Sequence, residues 1–275
     1  MMAIVYACIA PHGEEIVPRL AGKDLALFSP TRKGMRGLAA QISAAAPETV
    51  VIASPHNLRL RRVIGVVTSQ YSTGVVSRAG RELRVRAECD RDLATEIVER
   101  AEDRGIPVVG ANYGTDSGPL SSIPMDWGTL IPLSYFLRAG RKTRIVIVTP
   151  CREIRLGANF EFGKVVAEVA EESSRRIAFV ASADQAHAHL KSGPYGYSRE
   201  AARYDTAVLE SIRANKLGAI MGLSPRLVEG AKPDSLWQMA MLAGVLDIVP
   251  MTSEVLSYQV PTYFGMLCAG FTRCS

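Results

Sequence analysis

The chain has 275 residues, 48% hydrophobic and 21% charged, with a formal net charge of +5, which is globular material with enough apolar residues for one large core. Its basic excess is scattered: Arg59, Arg61 and Arg62 form the densest cluster, with short pairs at Arg141–Lys142 and Arg175–Arg176, and the basic stripe with aromatic interleaving of a nucleic-acid surface is missing. No apolar run has bilayer-spanning length, the N-terminus lacks a charged leader, and five cysteines without a CxxC pair exclude a zinc ribbon and argue against a disulfide scaffold, so a cytoplasmic protein with no membrane and no nucleic-acid partner is expected.

In chain order, β-branched apolar runs predict strands over Ile4–Ala10, Val50–Ala53, Val63–Val67, Pro107–Gly110, Arg144–Thr149 and Ile177–Ser182. Helical patterns fall between them at Gly34–Ala45, Asp90–Arg104, Leu130–Arg138, Asn159–Arg175 and Arg199–Ala214. The helix at Asp90 begins with a capping residue and carries the stripe Leu93, Ile97, Ala101. A further helix is expected over Ser235–Leu246, then a β-prone stretch over Val255–Thr272. The region Val63–Ser77 with Leu83–Val85 suggests an added antiparallel hairpin. Alternation of this kind predicts a single layered α/β domain over 1–275, its largely parallel or mixed central sheet flanked by helices. Two irregular stretches, Gly114–Gly128 and Lys191–Ser198, are of the kind that carries function.

The chain holds only four histidines, and each follows a predicted strand: His12, His56, His187 and His189. In an open α/β sheet the carboxyl edge of the strands is where ligands bind, and imidazole is the commonest metal ligand. His12 and His56 both follow proline, which fixes an extended exit from the strand. Two imidazoles and one carboxylate form the facial triad of non-haem Fe(II) oxygenases, and zinc hydrolases use the same donors. Ligand type leaves both open. Cys151, after the strand ending at Thr149, is a candidate nucleophile and equally a small buried hydrophobe. Walker A, GxGxxG and GxSxG sequences are all missing, which weighs against nucleotide-dependent and serine-hydrolase readings.

The segments Ala10-Pro11-His12-Gly13, Ser54-Pro55-His56-Asn57, Asp126-Trp127-Gly128-Thr129 and Ser182-Ala183-Asp184-Gln185-Ala186-His187 stand in this order along the chain. Together with Pro233-Asp234-Ser235-Leu236-Trp237-Gln238-Met239 and the stretch Tyr258–Met266, they resemble the LigB superfamily of class III extradiol ring-cleaving dioxygenases, to which the Memo proteins are related. The resemblance covers most of the chain. It implies Fe(II), with Mn or Zn as alternatives, bound by His12, His56 and a late carboxylate. Asp234 stands where the family offers a glutamate; Glu254 and Glu14 are the other candidates, and helix capping is the structural role open to Asp234.

The Asp-x-x-His motif implies His187 as the catalytic acid–base, with Asp184 orienting it and His189 sharing the site. Where many relatives have Asp-His-Gly, this chain has Trp127, which neither accepts a proton nor binds metal and is read as a wall for an aromatic substrate. Tyr195, with Tyr197 beside it, is a candidate for binding a substrate hydroxyl or carboxylate. The resemblance implies ring opening of a catecholic or aminophenolic substrate with O2, in an oxidoreductase of aromatic-compound catabolism that works as a homo-oligomer or with a paired subunit. The alternatives are a Memo-like metal-binding or redox protein without catalysis, and a zinc hydrolase on the same residues.

Overall fold

The structure is a computed structural model and describes residues 3–78, 80–137 and 142–273. Arg138 and Arg141, named above, lie outside the described residues. In chain order the elements are β1 (Ile4–Ala10), α1 (Pro18–Ala21), α2 (Ser29–Ala45), β2 (Thr49–Ala53), β3 (Ile64–Val67), β4 (Tyr71–Arg78), β5 (Arg81–Glu88), α3 (Arg91–Asp103), β6 (Val108–Ala111), β7 (Ser122–Pro124), α4 (Trp127–Phe136), β8 (Arg144–Thr149), α5 (Leu156–Glu172), β9 (Ile177–Ser182), α6 (Arg199–Arg213), α7 (Pro225–Ala231), α8 (Leu236–Ile248), β10 (Met251–Gln259) and β11 (Met266–Arg273).

Eight strands form one mixed sheet in the order β10-β11-β1-β9-β2-β8-β3-β6. Its centre is parallel, β1 to β9, β9 to β2 and β2 to β8, whereas β11, β10 and the β8–β3 pair run antiparallel. The central strands are buried on both faces, which is why they read as continuous apolar runs rather than alternating ones. Alternate residues feed two cores: Ala7, Ile9, Val51 and Phe179 pack with α3, α5, α6 and α8, and Tyr6, Cys8, Val50 and Ile52 pack with α2 and α4. The result is the layered α/β architecture expected, with helices on both faces. A second sheet, β5-β4-β7, sits beside α4.

Several boundaries differ from those read in the sequence. The β4–β5 pair is the expected hairpin, but it begins at Tyr71 rather than within the run from Val63. The β-prone tail is two antiparallel strands, β10 and β11, joined across residues 260–265. The stretch Gly114–Gly128 contains β7 and the start of α4. The helix read from Gly34 starts at Ser29, with Pro30 in its first turn. Among the described residues no helix is long and apolar enough to cross a membrane.

Candidate metal centre

The sheet order explains how residues far apart in sequence converge. β1, β9 and β2 are adjacent and parallel, and their carboxyl ends are level: Ala10 pairs with Ser182 and Ala53 with Ala181. The segments leaving those ends carry His12, Asp184 with His187, and His56 to one edge. Asp234 arrives from the loop before α8, whose Gln238 donates to the Ser182 carbonyl at 3.0 Å and ties the helix to the end of β9.

His12 Nε2 and His56 Nε2 lie 3.1 Å apart, and Asp234 Oδ2 is 3.4 Å from the first and 3.2 Å from the second. One donor atom from each residue thus falls in a single group within 4.8 Å. At metal–ligand distances near 2.1 Å, a facial octahedral set has separations of about 3.0 Å and a tetrahedral set about 3.4 Å. The observed separations fall in that interval, so the three residues fit a metal ion. Of the three carboxylates weighed for this place, the structure brings Asp234 to the histidines. Glu254 lies on β10 and accepts from Gln41 Nε2 at 2.9 Å, away from the site. Glu14 lines the same cavity without joining the donor set.

The donors are held by a polar scaffold built from the sequence motifs. Ser182 Oγ donates to the Gly128 carbonyl at 2.5 Å, which leaves its lone pairs to accept from His12 Nδ1 at 2.9 Å. In the neutral, metal-binding form of His12 the proton therefore sits on Nδ1 and the Nε2 lone pair faces the site, the usual orientation of a metal-ligating histidine. Asp126 caps α4 through the Thr129 N–H at 3.0 Å and also accepts from Ser54 Oγ at 2.6 Å and Asn57 Nδ2 at 2.9 Å, clamping the loop that carries His56. Trp127 stacks on the His56 ring with centroids 4.2 Å apart and is 45% exposed on the cavity side. Among the described residues the Nδ1 atom of His56 is buried without a hydrogen-bond partner, so the ring is set by stacking and by the contact of its Nε2 with Asp234.

Asp184 has a different position from the one its spacing to His187 suggests. Its Oδ1 accepts the His12 backbone N–H at 3.1 Å, its Oδ2 is 3.3 Å from His12 Nε2, and its own N–H donates to Asp234 Oδ1 at 3.2 Å. It flanks the triad. Burial and the neighbouring Asp234 carboxylate push Asp184 up to about 7 against the pull of His12. Burial also opposes charge on His12 and Asp234, but the attraction between opposite charges wins: the Asp184 and Asp234 carboxylates raise His12 to about 9, and His12 and His56 hold Asp234 well below the usual carboxylate range.

The group that orients His187 is the Gln185 carbonyl, which accepts from Nδ1 at 2.9 Å and leaves Nε2 as the ring's proton acceptor. Burial lowers the His187 pKa against the attraction of Asp234, so the ring is neutral at neutral pH. It stacks on Phe264, with centroids 5.3 Å apart, and meets Tyr195 edge-on at 5.6 Å. His189 is turned the other way. Its Nε2 donates to the buried carboxylate of Asp205 at 2.8 Å, and that carboxylate also accepts from Tyr258 and the Ala186 N–H. The loop after His187 is not the extended segment that would put both rings on one side. Tyr197 pairs with His189 through the backbone and is 66% exposed outside the cavity. Cys151 is buried, with its backbone tied to Asn159, and is not in the cavity wall.

His12, His56, Asp184, His187, Asp234, Trp127 and Tyr195 border one cavity of about 650 Å³, of the size that takes a small ligand. Spacing and strand-end logic did not pick out two further groups. Ser182 ends a strand and gave no signal beyond its place in the motif. Arg152, which reaches the Asp234 carbonyl at 3.5 Å, comes from the loop after β8.

Residues 6–269 match the family described as the catalytic LigB subunit of aromatic ring-opening dioxygenase. The chain belongs to the LigB family, a dioxygenase-type oxidoreductase family. It is similar to Protein CA_C1420 of Clostridium acetobutylicum, 24% identical over 258 residues, which covers 91% of this chain and 54% of that protein; the chain spans about half the length of this curated relative. Its fold is similar to that of the crystal structure of uncharacterized protein JW3007 from Escherichia coli K12, with a TM-score of 0.62, 17% identity, and coverage of 97% of this chain and 99% of the other.

Proposed function

We propose that this protein is a non-haem Fe(II)-dependent extradiol dioxygenase that opens the ring of a catecholic or aminophenolic substrate with O2. The observation that carries this reading is the convergence of His12, His56 and Asp234 in one cavity with a neutral His187 whose Nε2 is free to accept a proton. When bound, Fe(II) supplies Lewis acidity toward adjacent heteroatoms of the substrate and the redox capacity that allows dioxygen to react with the ring. The protein's own residues do the rest.

Ser182 holds His12 in the tautomer that presents Nε2. The indole of Trp127 and the ring of Phe264 supply flat apolar walls for an aromatic ring. His187 Nε2 takes the proton of the second substrate hydroxyl and returns it as the ring opens, and the Gln185 carbonyl stabilises the imidazolium in between. Both oxygen atoms of O2 enter the product and the carbon–carbon bond beside the diol breaks.

The test is anaerobic reconstitution with Fe(II), then oxygen uptake and absorbance of the ring-opened product across catechol, protocatechuate, gallate and aminophenol. Stoichiometric iron without turnover of any of them would overturn the reading. A zinc hydrolase is the second reading, supported by the 3.4 Å His12–Asp234 separation, which suits a tetrahedral ion. Zinc in protein purified without added metal, together with ester or amide hydrolysis, would favour it.

A further inference from the structure

An edge strand carries unpaired N–H and C=O groups that invite a further strand, and folds blunt such edges with short strands, proline, bulges or cover. Among the described residues the two sheets end on β10, β6, β5 and β7, and three of these are blunted. β6 is four residues long, and β7 is three with Pro124 among them. β10 carries a bulge between Val255 and Ser257 and packs against α2 and α6. β5 is different: it has eight residues, no proline and an unbroken register to β4.

The neighbours of β4 show which way the β5 backbone points. In an antiparallel pair, opposed residues either exchange hydrogen bonds or both point away from each other. The Tyr71 N–H and the Thr73 carbonyl are bonded on the β7 side, to Ser121 and Met125, so the residues opposite them, Glu88 and Arg86, point outward. Arg84 and Glu82 continue the alternation. Glu88 is closed off by β8 through the bridge of Cys89 with Ile145, whereas Glu82, Arg84 and Arg86 have no backbone partner among the described residues. Their side chains are exposed on one face. On the other, Leu83 and Val85 are half-buried and line a cavity of about 500 Å³ together with Leu133 and Leu137 of α4.

We infer that β5 pairs antiparallel with β5 of a second copy of this chain, about a two-fold axis at Arg84, joining the two small sheets into one. With the axis there, the outward-pointing residues oppose each other and complete a ladder in both directions. Glu82 of each copy faces Arg86 of the other, and Leu83 faces Val85 on the cavity side, so charges and apolar side chains are both matched. The two Arg84 side chains meet at the axis, each already paired with its own Glu82 at 2.6 Å. Moving the axis to Val85 would set Arg84 on Arg86 and Glu82 on Glu88, which repel. Moving it to Arg86 would drive the second strand into the closure at Glu88. The interface uses none of the metal donors and does not depend on the ring-opening reading.

Sedimentation velocity on the full chain tests this. A pair of strands of this length is at the small end of specific interfaces, so a dimer with a Kd of roughly 1–100 µM is expected. Arg84→Pro removes an outward N–H and spares the ladder to β4; it should stay monomeric at about 100 µM, with metal affinity unchanged. Arg86→Glu sets like charges opposite each other and should weaken the dimer about tenfold, and adding Glu82→Arg to that variant should restore it. A monomer throughout this range in the unmodified protein would overturn the inference and leave the edge to a strand of another protein. Dimerisation that Arg84→Pro does not weaken would place the interface elsewhere and overturn it too. If Arg84→Pro does not fold, the charge swap decides: a dimer insensitive to Arg86→Glu, or one that Glu82→Arg does not rescue, overturns it.

Discussion

Gly128 lies at the junction of both histidine supports. A Cβ there would fall 2.6 Å from Ser54 Oγ, 2.9 Å from Asp126 Oδ1 and 3.2 Å from His56 Cδ2, while the residue's carbonyl accepts from Ser182. Alanine at this position should therefore displace the His56 ring and the Ser54 clamp together. For Gly128→Ala we expect metal affinity to fall at least about tenfold, read by competition with a chelator, with the far-ultraviolet circular dichroism unchanged. Ser182→Ala removes the acceptor that fixes the His12 tautomer, and a loss of about 10- to 100-fold in metal affinity is expected; unchanged affinity would show that the hydroxyl does not set the ring. The thiols make a separate residue-scale prediction. Burial pushes Cys8 well above its usual range, and Cys89 and Cys268 up to about 12, so at pH 8 all three should resist iodoacetamide in the native protein and react after denaturation, as peptide mass spectrometry can read.

What the sequence could reveal about single residues follows from the same geometry. His12 and His56 were visible because a proline-directed exit from a buried strand is a local feature, and the parallel sheet brings local features to one edge. His189 and Asp184 were harder, because their orientation depends on partners far along the chain, Asp205 for one and the His12 backbone for the other. Arg152 gave no pattern at all, since a single cation after a strand reads as surface until Trp237 is seen beneath it.

Among the elements, the packing of α5 against α8 matters most to the site, because Asp234 enters just before α8. The contact is close enough that a Cβ on Gly244 would lie 2.0 Å from the Phe160 carbonyl oxygen. Gly244→Ala must push the helices apart, and a loss of about 1–3 kcal/mol is expected, measurable by urea denaturation, with weaker metal binding as α8 shifts. The strands were legible because doubly buried strands are unbroken β-branched runs, and α8 because it is apolar on all sides. α7 was not, since Ala231 is its one buried residue and it has no stripe to detect; its start signal, Ser224 capping with Pro225 following, was present but short. The β10–β11 turn lacks an Asn-Gly or Asp-Gly signal, so the two strands read as one run.

For the molecule as a whole, the centre links distant parts of the chain and metal should stabilise all of it. At a free metal concentration of about 100 times Kd, binding adds about 2.7 kcal/mol, a rise of roughly 5 °C in the unfolding midpoint of a domain of this size. Differential scanning calorimetry with and without metal checks this, and His56→Ala should abolish the rise.

The position of β1 has a consequence for how the protein is made. The first strand is an interior one, held between β9 and β11, so both of its neighbours are translated long after it. The metal donors follow the same schedule, with His12 emerging early and Asp234 late. A nascent chain synthesised from its N-terminus must therefore carry an unpaired, apolar β1 while the residues up to β9 are made, and it gains its metal site only after Asp234 has emerged. Such distant pairings make folding slow, and the growing chain depends on protection from aggregation until β11 closes the sheet.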